Sequence, residues 1–268
     1  MKDSVRSDIL EAAFRGRFGR PLKVLETTAS TNSDALDWAH EGAPEGALVV
    51  AEHQSAGRGR WGRSWFSEPG TGLLLSVVLR PRLPADRLGL LTTALGVACT
   101  EALRETTGLE PSIKWPNDVT IDRRKLAGIL VETRVEAGRV DVAVAGIGIN
   151  FHRFHPPADI AAHATSLADA MERAGLGSPP PRAQVLAALL EHLEDLYEGI
   201  TGDEWAAVVE RAAAHSEILG KEVRVVLSDG HTYEGLASRL LPTGALELDT
   251  GGERIAIDSG EVELVRAK

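Results

Sequence analysis

Lys125-Leu-Ala-Gly-Ile-Leu-Val-Glu132 and, a little further on, Val140-Asp-Val-Ala-Val-Ala-Gly-Ile-Gly-Ile-Asn150 are the stretches whose reading decides the fold. Ala127 to Val135 and Val140 to Asn150 are aliphatic, strand-like runs separated by Glu136-Ala-Gly-Arg139, which predicts two strands and a hairpin connection. Glycines at the end of the second run let a ligand come close to the backbone. Outward from this pair, Leu22 to Glu26 and Ala47 to Glu52 read as short strands, and Gly72 to Leu79 as a buried one. Asp86 to Thr107 has apolar residues at helical spacing and is closed by Gly108. Ser30-Thr-Asn-Ser-Asp34 offers capping side chains before Ala35-Leu-Asp-Trp-Ala39, and a helix N-terminus there suits a polar ligand.

On the C-terminal side, Pro179-Pro-Pro181 is a stiff loop before a helix reaching Ile200, and a second helix is expected from Asp203 to about Glu217. From Gly220 the character changes. Val223 to Leu227, His231 to Leu236, Ala245 to Leu248 and Arg254 to Ile257 are short strands separated by Asp-Gly, Thr-Gly and Gly-Gly turns. The expectation is an α+β protein: a larger unit over residues 1–218, with helices packed on a mixed sheet, and a small SH3-like barrel over 219–268.

Composition narrows the function classes. Of 268 residues, 43% are apolar and 25% charged, the balance of a soluble globular chain. A net charge of -10 opposes a general nucleic-acid-binding role. Cys99 is the only cysteine, so no internal disulfide forms, and its apolar surroundings predict a packing role. No signal-like or membrane-spanning run is present, so a cytoplasmic location is expected. His152, His155 and His163 sit in loop sequence without a completing acidic or cysteine partner, so no protein-held metal is expected. Gly146-x-Gly-x-Asn ends a strand and opens no helix, unlike a dinucleotide fingerprint.

Two segments carry the chemistry. Gln54-Ser-Ala-Gly-Arg-Gly-Arg-Trp-Gly-Arg-Ser-Trp-Phe66 alternates glycine with arginine, so its backbone can wrap an anion and present three guanidinium groups. Lys114-Trp-Pro-Asn-Asp118 and Lys125 follow. The chain has 29 basic residues but only six lysines, and Lys114 and Lys125 are the two between Lys23 and Lys221. Where arginine serves everywhere else, a lysine indicates a need for a compact point charge. This is the equipment for bringing a carboxylate and a phosphate together, as in an adenylating ligase.

With Ser30-Thr31-Asn32, the Gly57-to-Arg63 loop, Lys114-Trp-Pro-Asn-Asp118, Lys125-to-Glu132, Gly146-to-Asn150 and a terminal β module in this order, the chain resembles the biotin protein ligases. The resemblance covers most of the chain and implies a class II synthetase-like catalytic fold. It also implies ATP and biotin as substrates, Mg²⁺ on the phosphates, and a carrier-domain lysine of an acetyl-CoA or propionyl-CoA carboxylase as acceptor. By resemblance, Ser30, Thr31, Asn32 and Gln54 hold the ureido ring. Trp65 and Trp115 keep two readings each, walls of that pocket or ordinary core aromatics. Gly57, Arg58, Gly59, Arg60, Lys125 and Gly128 line the biotinyl-AMP site. Arg58, Arg60, Trp115, Lys125, Asn117 and Asn150 serve the nucleotide, the last two at the adenine edge. Lys125, Arg60, Lys114 and Asp118 are the expected catalytic set, Lys125 bridging the biotin carboxyl and the α-phosphate. Asp118 keeps two readings, a turn residue after Pro-Asn or a carboxylate that orients the acceptor amine or takes its proton.

About twenty residues precede the first catalytic strand, so the expectation is the class without an N-terminal DNA-binding domain. Two rivals remain. Lipoate protein ligases share the adenylation logic, but their loop reads Arg-Arg-x-Ser-Gly-Gly-Gly where this chain has Gly-Arg-Gly-Arg-Trp-Gly. A nucleic-acid module could use arginines near tryptophans, against the chain's acidity.

Overall fold

The computed structural model describes residues 5–81, 83–136, 139–202 and 204–265. In chain order it runs α1 (Ser7–Ala13), β1 (Leu22–Leu25), α2 (Thr31–His40), β2 (Leu48–Ala51), β3 (Gly72–Leu79), α3 (Gly89–Thr107), β4 (Ser112–Lys114), β5 (Asp118–Ile121), β6 (Arg124–Glu136) and β7 (Arg139–Asn150). Then follow α4 (Ala158–Ala161), α5 (Leu167–Arg173), α6 (Arg182–Thr201), α7 (Trp205–Ala214), β8 (Glu222–Val226), β9 (Thr232–Leu240), β10 (Leu246–Asp249), β11 (Arg254–Ile257) and β12 (Glu261–Leu264). The strands form a seven-stranded sheet, order β1-β2-β3-β7-β6-β5-β4, and a five-stranded sheet, order β11-β10-β9-β8-β12. Only β1 and β2 pair in parallel in the first sheet, which makes it mixed; the second is antiparallel throughout.

The long strands β6 and β7 lie in the middle of the large sheet, and β7 shows why the two faces differ. Ala143, Ala145, Ile147 and Ile149 belong to the main core with Leu91, Leu95 and Val97 of α3 and Leu186 and Leu189 of α6. Successive strand residues point to opposite faces. On the other face, Val142 and Val144 pack under Ala35 and Ala39 of α2, and Gly146, Gly148 and Asn150 continue that row into an open cavity. One face is therefore sealed by α3 and α6. The other is sealed only halfway along.

The expected elements differ from the observed ones mainly at short segments. The helix expected from Asp86 begins at Gly89, after a single 3-10 turn over Ala85–Arg87. The connection between β6 and β7, and the start of the helix expected at Asp203, include residues outside the described ones. α1, β4, β5 and β12 were not expected: the strands have only three or four residues and α1 only seven, too short for a clear period. Cys99 is fully buried, and burial pushes its thiol up to about 12, consistent with a packing residue.

The second sheet has its own core of Val223, Val225, Ala237, Leu246, Leu248 and Ile257, joined by Ile218 and by Trp115. Trp115 donates its indole N–H to the Gly244 carbonyl at 3.0 Å. The segment after α7 is also tied to β4, by Ile113 N–H to His215 O and Glu217 N–H to Ile113 O, each 2.8 Å.

Candidate active site

The cavity on the open face has a volume of about 290 Å³ and takes walls from α2, the arginine loop, β5, β6, β7 and the start of β12. Its inner end is neutral. Ser30 stands at the N-cap position of α2, but its hydroxyl caps nothing. The side-chain carbonyl of Gln54 does so instead, accepting from Thr31 N–H at 2.7 Å and Thr31 Oγ1 at 3.0 Å. Asn32, buried, lies directly over Gly146. A Cβ at position 146 would stand 2.1 Å from Asn32 Oδ1, so only glycine leaves the notch open. Ser76 Oγ on β3 donates to that oxygen at 2.6 Å, and Asn32 Nδ2 donates to Leu130 O at 3.1 Å and Glu132 Oε2 at 2.8 Å. Ser76, Gly146 and Leu130 are register partners across β3, β7 and β6, so one rung of the sheet holds one amide.

The next rung but one repeats the device with an indole. Asp118, Gly128, Gly148 and Leu74 are register partners across four strands. Trp65 lies on the two glycines: a Cβ would fall 2.7 Å from its ring at position 128 and 2.5 Å at position 148. Lys125 Nζ stands 5.6 Å from the Trp65 ring centroid and 2.7 Å from Asp118 Oδ1. The ammonium is thus held between a carboxylate and a ring face, with donors left over for an anion.

The outer end is cationic, and its arginines come from a hairpin rather than an open loop. Arg58 and Ser64 face each other, Trp65 N–H donates to Gly57 O at 2.9 Å, and Arg63 N–H to Arg60 O at 3.2 Å. Trp61 (φ 57°) and Gly62 (φ 74°) form the two-residue turn, which needs left-handed backbone at both positions. Gly62 supplies this without strain. Trp61 does so at a cost and stays exposed, its ring 4.9 Å from the Arg60 guanidinium.

The arginines are not equivalent. Arg60 donates from Nη1 to Asn117 Oδ1 at 3.0 Å and Gly260 O at 3.2 Å, and from Nη2 to Ser259 Oγ. Burial pushes its guanidinium down from its ordinary value, while the Asp118 and Glu261 carboxylates oppose that shift. It remains a cation, because arginine starts far above neutrality. Arg63 pairs with Glu261. Arg58 pairs with Glu132 at 2.7 Å through Nη2 alone.

This architecture has known counterparts. The profile of the Biotin/lipoate A/B protein ligase family matches residues 24–150, and that of the Biotin protein ligase C terminal domain matches residues 218–265. A biotin–[acetyl-CoA-carboxylase] ligase of Mycobacterium tuberculosis is 34% identical over 270 residues, covering 98% of this chain and 95% of its own length. The chain belongs to the biotin protein ligase family. A bifunctional ligase/repressor of Bacillus subtilis is 32% identical, over 92% of this chain and 77% of its own length. The biotin protein ligase of Aquifex aeolicus, solved in complex with biotin and ATP, superposes with a TM-score of 0.78 at 29% identity, over 92% of this chain and all of the other.

Within that family frame, Ser30, Thr31, Asn32, Gln54, Arg58, Gly59, Arg60, Trp65, Asn117, Asp118, Lys125, Gly128 and Asn150 come together around the one cavity. Gly57 supports the wall from behind, where a Cβ would fall 2.6 Å from the Trp65 carbonyl oxygen. Lys114 and Trp115, expected at the site, do not line it. Trp115 points the other way, into the core of the second sheet, because its N–H finds the Gly244 carbonyl there. Lys114 lies on β4, the edge strand, as the register partner of Asp118 at the end of that rung, and does not reach the cavity lining. Asn117 and Asn150 reach the cavity with their amides already engaged, Asn117 Nδ2 to Ile129 O at 3.0 Å and Asn150 Nδ2 to Thr165 O at 3.1 Å.

Sequence reading missed Ser76, Glu132, Phe154, His163 and Glu261. Phe154, His163 and Glu261 line the cavity, and Ser76 and Glu132 hold Asn32 from either side. A signal for Ser76 was visible: it is the one polar side chain in the otherwise apolar run from Leu73 to Leu79. Phe154 and His163 lie in irregular sequence after β7 and had none.

Proposed function

We propose that the chain activates biotin with ATP to biotinyl-AMP and transfers the biotinyl group to one lysine of a carboxylase carrier domain, of the acetyl-CoA or propionyl-CoA carboxylase kind. The observation that carries the reading is one cavity with a buried amide-and-hydroxyl end and a cationic outer end. A ureido ring offers donors and an acceptor, which Ser30, Thr31, Asn32 and Gln54 can match. The dithiolane of lipoate would offer no partner to the Ser30 hydroxyl or the Gln54 side-chain N–H, at a cost of about 1–3 kcal/mol for each polar group left buried and unpaired.

In the first step a biotin carboxylate oxygen attacks the α-phosphorus and pyrophosphate leaves. Two anions must approach and charge shifts onto the departing phosphates, so fixed cations lower the barrier. Lys125 is placed for this by Asp118 and Trp65, and Arg58 has hydrogen-bonding capacity to spare. Arg60 frames the site, since its donors already serve Asn117 and the second sheet. Mg²⁺ would be carried on the nucleotide phosphates, neutralising their charge. Among the described residues no group of three or more His, Cys, Asp or Glu is gathered to cage a metal.

In the second step the acceptor amine attacks the acyl carbon, AMP leaves and the amine gives up a proton. That lysine starts from a pKa of about 10.4, so a base must take the proton as the bond forms. Asp118, only 23% exposed at the cavity wall, pairs with Lys125, and we assign it the orientation of the incoming amine and the acceptance of its proton. No described helix is long and apolar enough to cross a membrane, and the cytoplasm, where ATP and carboxylase subunits meet, is the proposed place of work. The test is exchange of labelled pyrophosphate into ATP, which should require biotin and stay at background when lipoate is supplied in its place. Exchange supported by lipoate, or by neither acid, overturns the reading.

A further inference from the structure

Asp118 stands between two lysines. From β6, Lys125 reaches its Oδ1 at 2.7 Å. From β4, Lys114 is its register partner, and residues directly opposite in an antiparallel pair carry their side chains on the same face. Lys114 therefore belongs to the cavity face of the sheet, one strand beyond Asp118, on the outer edge. The strand is fixed from behind. Ile113 packs in the main core, its N–H donates to His215 O and its carbonyl accepts from Glu217 N–H, each at 2.8 Å. Lys114 is half-buried, yet among the described residues its ammonium takes part in no hydrogen bond or ion pair.

The other charged groups on this side are engaged. Arg60 is close enough for the Asp118 carboxylate to oppose its downward shift, but its donors serve Asn117, Ser259 and Gly260. Glu261 pairs with Arg63 and Glu132 with Arg58, and Glu217 accepts from Thr120 Oγ1 on β5. His163 lines the cavity next to Lys125, whose N–H its carbonyl accepts at 2.7 Å. Of the lysines and arginines named here, Lys114 alone has no partner among the described residues.

Resting on the proposed function, we infer that Lys114 is a positioning residue that acts through Asp118 and admits the acceptor lysine as its neutral amine. In the transfer step the amine nitrogen bonds to the acyl carbon. The acyl–phosphate C–O bond breaks with its electron pair leaving on AMP, and the nitrogen's proton passes to Asp118. Attack needs the neutral amine, whose unperturbed pKa is about 10.4. A lone carboxylate hinders this, because an opposite charge favours the ammonium form. Lys125 balances Asp118 in the free protein, but the phosphate of the bound adenylate takes up that cation. Lys114 restores the balance from the edge strand. A like charge disfavours the ammonium, so the amine leaves its first proton in solvent and reaches Asp118 able to attack.

The test is single-turnover transfer from the whole chain loaded with biotinyl-AMP, across pH 6.5 to 10, to two acceptors at saturation. One is the purified carrier domain of an acetyl-CoA carboxylase; the other is hydroxylamine, which is already neutral at pH 7. A unit charge about 8 Å away in wet surroundings moves an amine by roughly half a pH unit. Lys114→Gln should therefore slow transfer to the carrier about threefold at pH 7, relative to transfer to hydroxylamine. The gap should close as pH rises towards about 10, where the amine is neutral without help. A merely structural loss would slow both acceptors and persist at high pH. Lys114→Arg keeps the charge and should follow the unaltered chain. Equal pH profiles for Lys114→Gln and the unaltered chain overturn the inference, as does an arginine variant as slow as the glutamine one. If Lys114→Gln unfolds, the unaltered chain decides at about 0.5 M salt, where charges are screened within a few ångströms. Slower transfer to the carrier relative to hydroxylamine supports the inference, and an unchanged ratio refutes it. The functional reading is read separately, by biotin-dependent pyrophosphate exchange in the unaltered chain. Absence of exchange sinks that reading and the inference with it, whereas exchange with pH profiles that coincide sinks the inference alone.

Discussion

The two ends of the cavity are built on opposite plans. At the inner end most polar groups are buried or half-buried and already paired: Gln54 with Thr31, and Asn32 with Ser76, Leu130 and Glu132. At the outer end Arg58 and Lys125 are 42% and 37% exposed, each held by one carboxylate, on a hairpin or a strand end. Buried, fully paired polar groups are rigid and hard to disturb, whereas exposed ion pairs rearrange easily. Recognition of a neutral ring can therefore be fixed in advance, and handling of charge that moves during a reaction is left to groups that can exchange partners. Damage at the inner end should appear as lost folding and binding together, and damage at the outer end as lost chemistry in a folded protein.

The largest expected effect attacks the outer end. Lys125→Ala should lower biotin-dependent pyrophosphate exchange by about 100-fold or more, the scale for one donor to developing charge, with an unchanged circular dichroism melt. Lys125→Arg should also be impaired, because a planar fork does not reproduce a point charge between Asp118 and the Trp65 ring. Near-normal exchange in the alanine variant would remove Lys125 from the chemistry.

Gly146→Ala attacks the inner end. The added methyl must push Asn32 out of its notch and strand Ser76 and the Leu130 carbonyl. Denaturant unfolding should show a loss of about 2 kcal/mol, with weaker biotin binding by calorimetry. Loss of binding with full stability would show that the two are separable and that the inner end is less rigid than its contacts indicate.

The two neighbouring arginines sharpen the contrast within one hairpin. Arg58→Gln should raise the KM for biotin about tenfold, as loss of a hydrogen-bonded charge implies, and leave the melt untouched. Arg60→Gln should lower stability by about 1–2 kcal/mol, because Asn117, Ser259 and Gly260 all lose their donor. Identical behaviour of the two variants would mean that the hairpin acts as one unit.

The smallest effect lies far from both ends. Burial pushes the Glu101 carboxyl up, but hydrogen bonds from Arg211 and His215 and the charges of Arg211 and His192 outweigh it and hold the group below its ordinary 4.5. A lowered carboxyl stabilises the fold above its unfolded pKa, and that contribution fades as pH falls through the folded value. Glu101→Gln should thus reduce stability by about 1 kcal/mol near neutral pH, and the difference should close as pH falls below 4.5 and through the lowered folded value. Exchange kinetics should not change, which makes this variant a control for the others.

How much of this was legible in the sequence depends on whether a feature is local. The middle strands were readable because Val140 to Asn150 carries its own pattern, and the glycines at its end signalled close approach. What approaches was not readable. Gly146 receives Asn32 from more than a hundred residues away and Gly148 receives Trp65, pairings made only by strand register and helix placement. Which of the two readings of Trp115 holds was unreadable for the same reason. Lys114 and Asn117 beside it in sequence are motif residues, but its partner is the Gly244 carbonyl, in the distant Leu241-to-Ala245 turn. Glu132 stood in plain view at the end of Lys125-to-Glu132. An acid inside a strand gives no sign of which of its neighbours it will bind.

The two glycine seats turn the sheet into a ruler. Gly146 and Gly148 are two residues apart on one strand, so the amide seat and the indole seat differ by about 6.8 Å of strand rise. That length belongs to the backbone and not to any rotamer. Exchange of side chains can blunt either mark, but it cannot move one relative to the other. Only an insertion running through β6 and β7 together could lengthen the scale. A substrate whose polar head and acid end are spaced for one rung would be measured, and refused, by the pitch of the sheet itself.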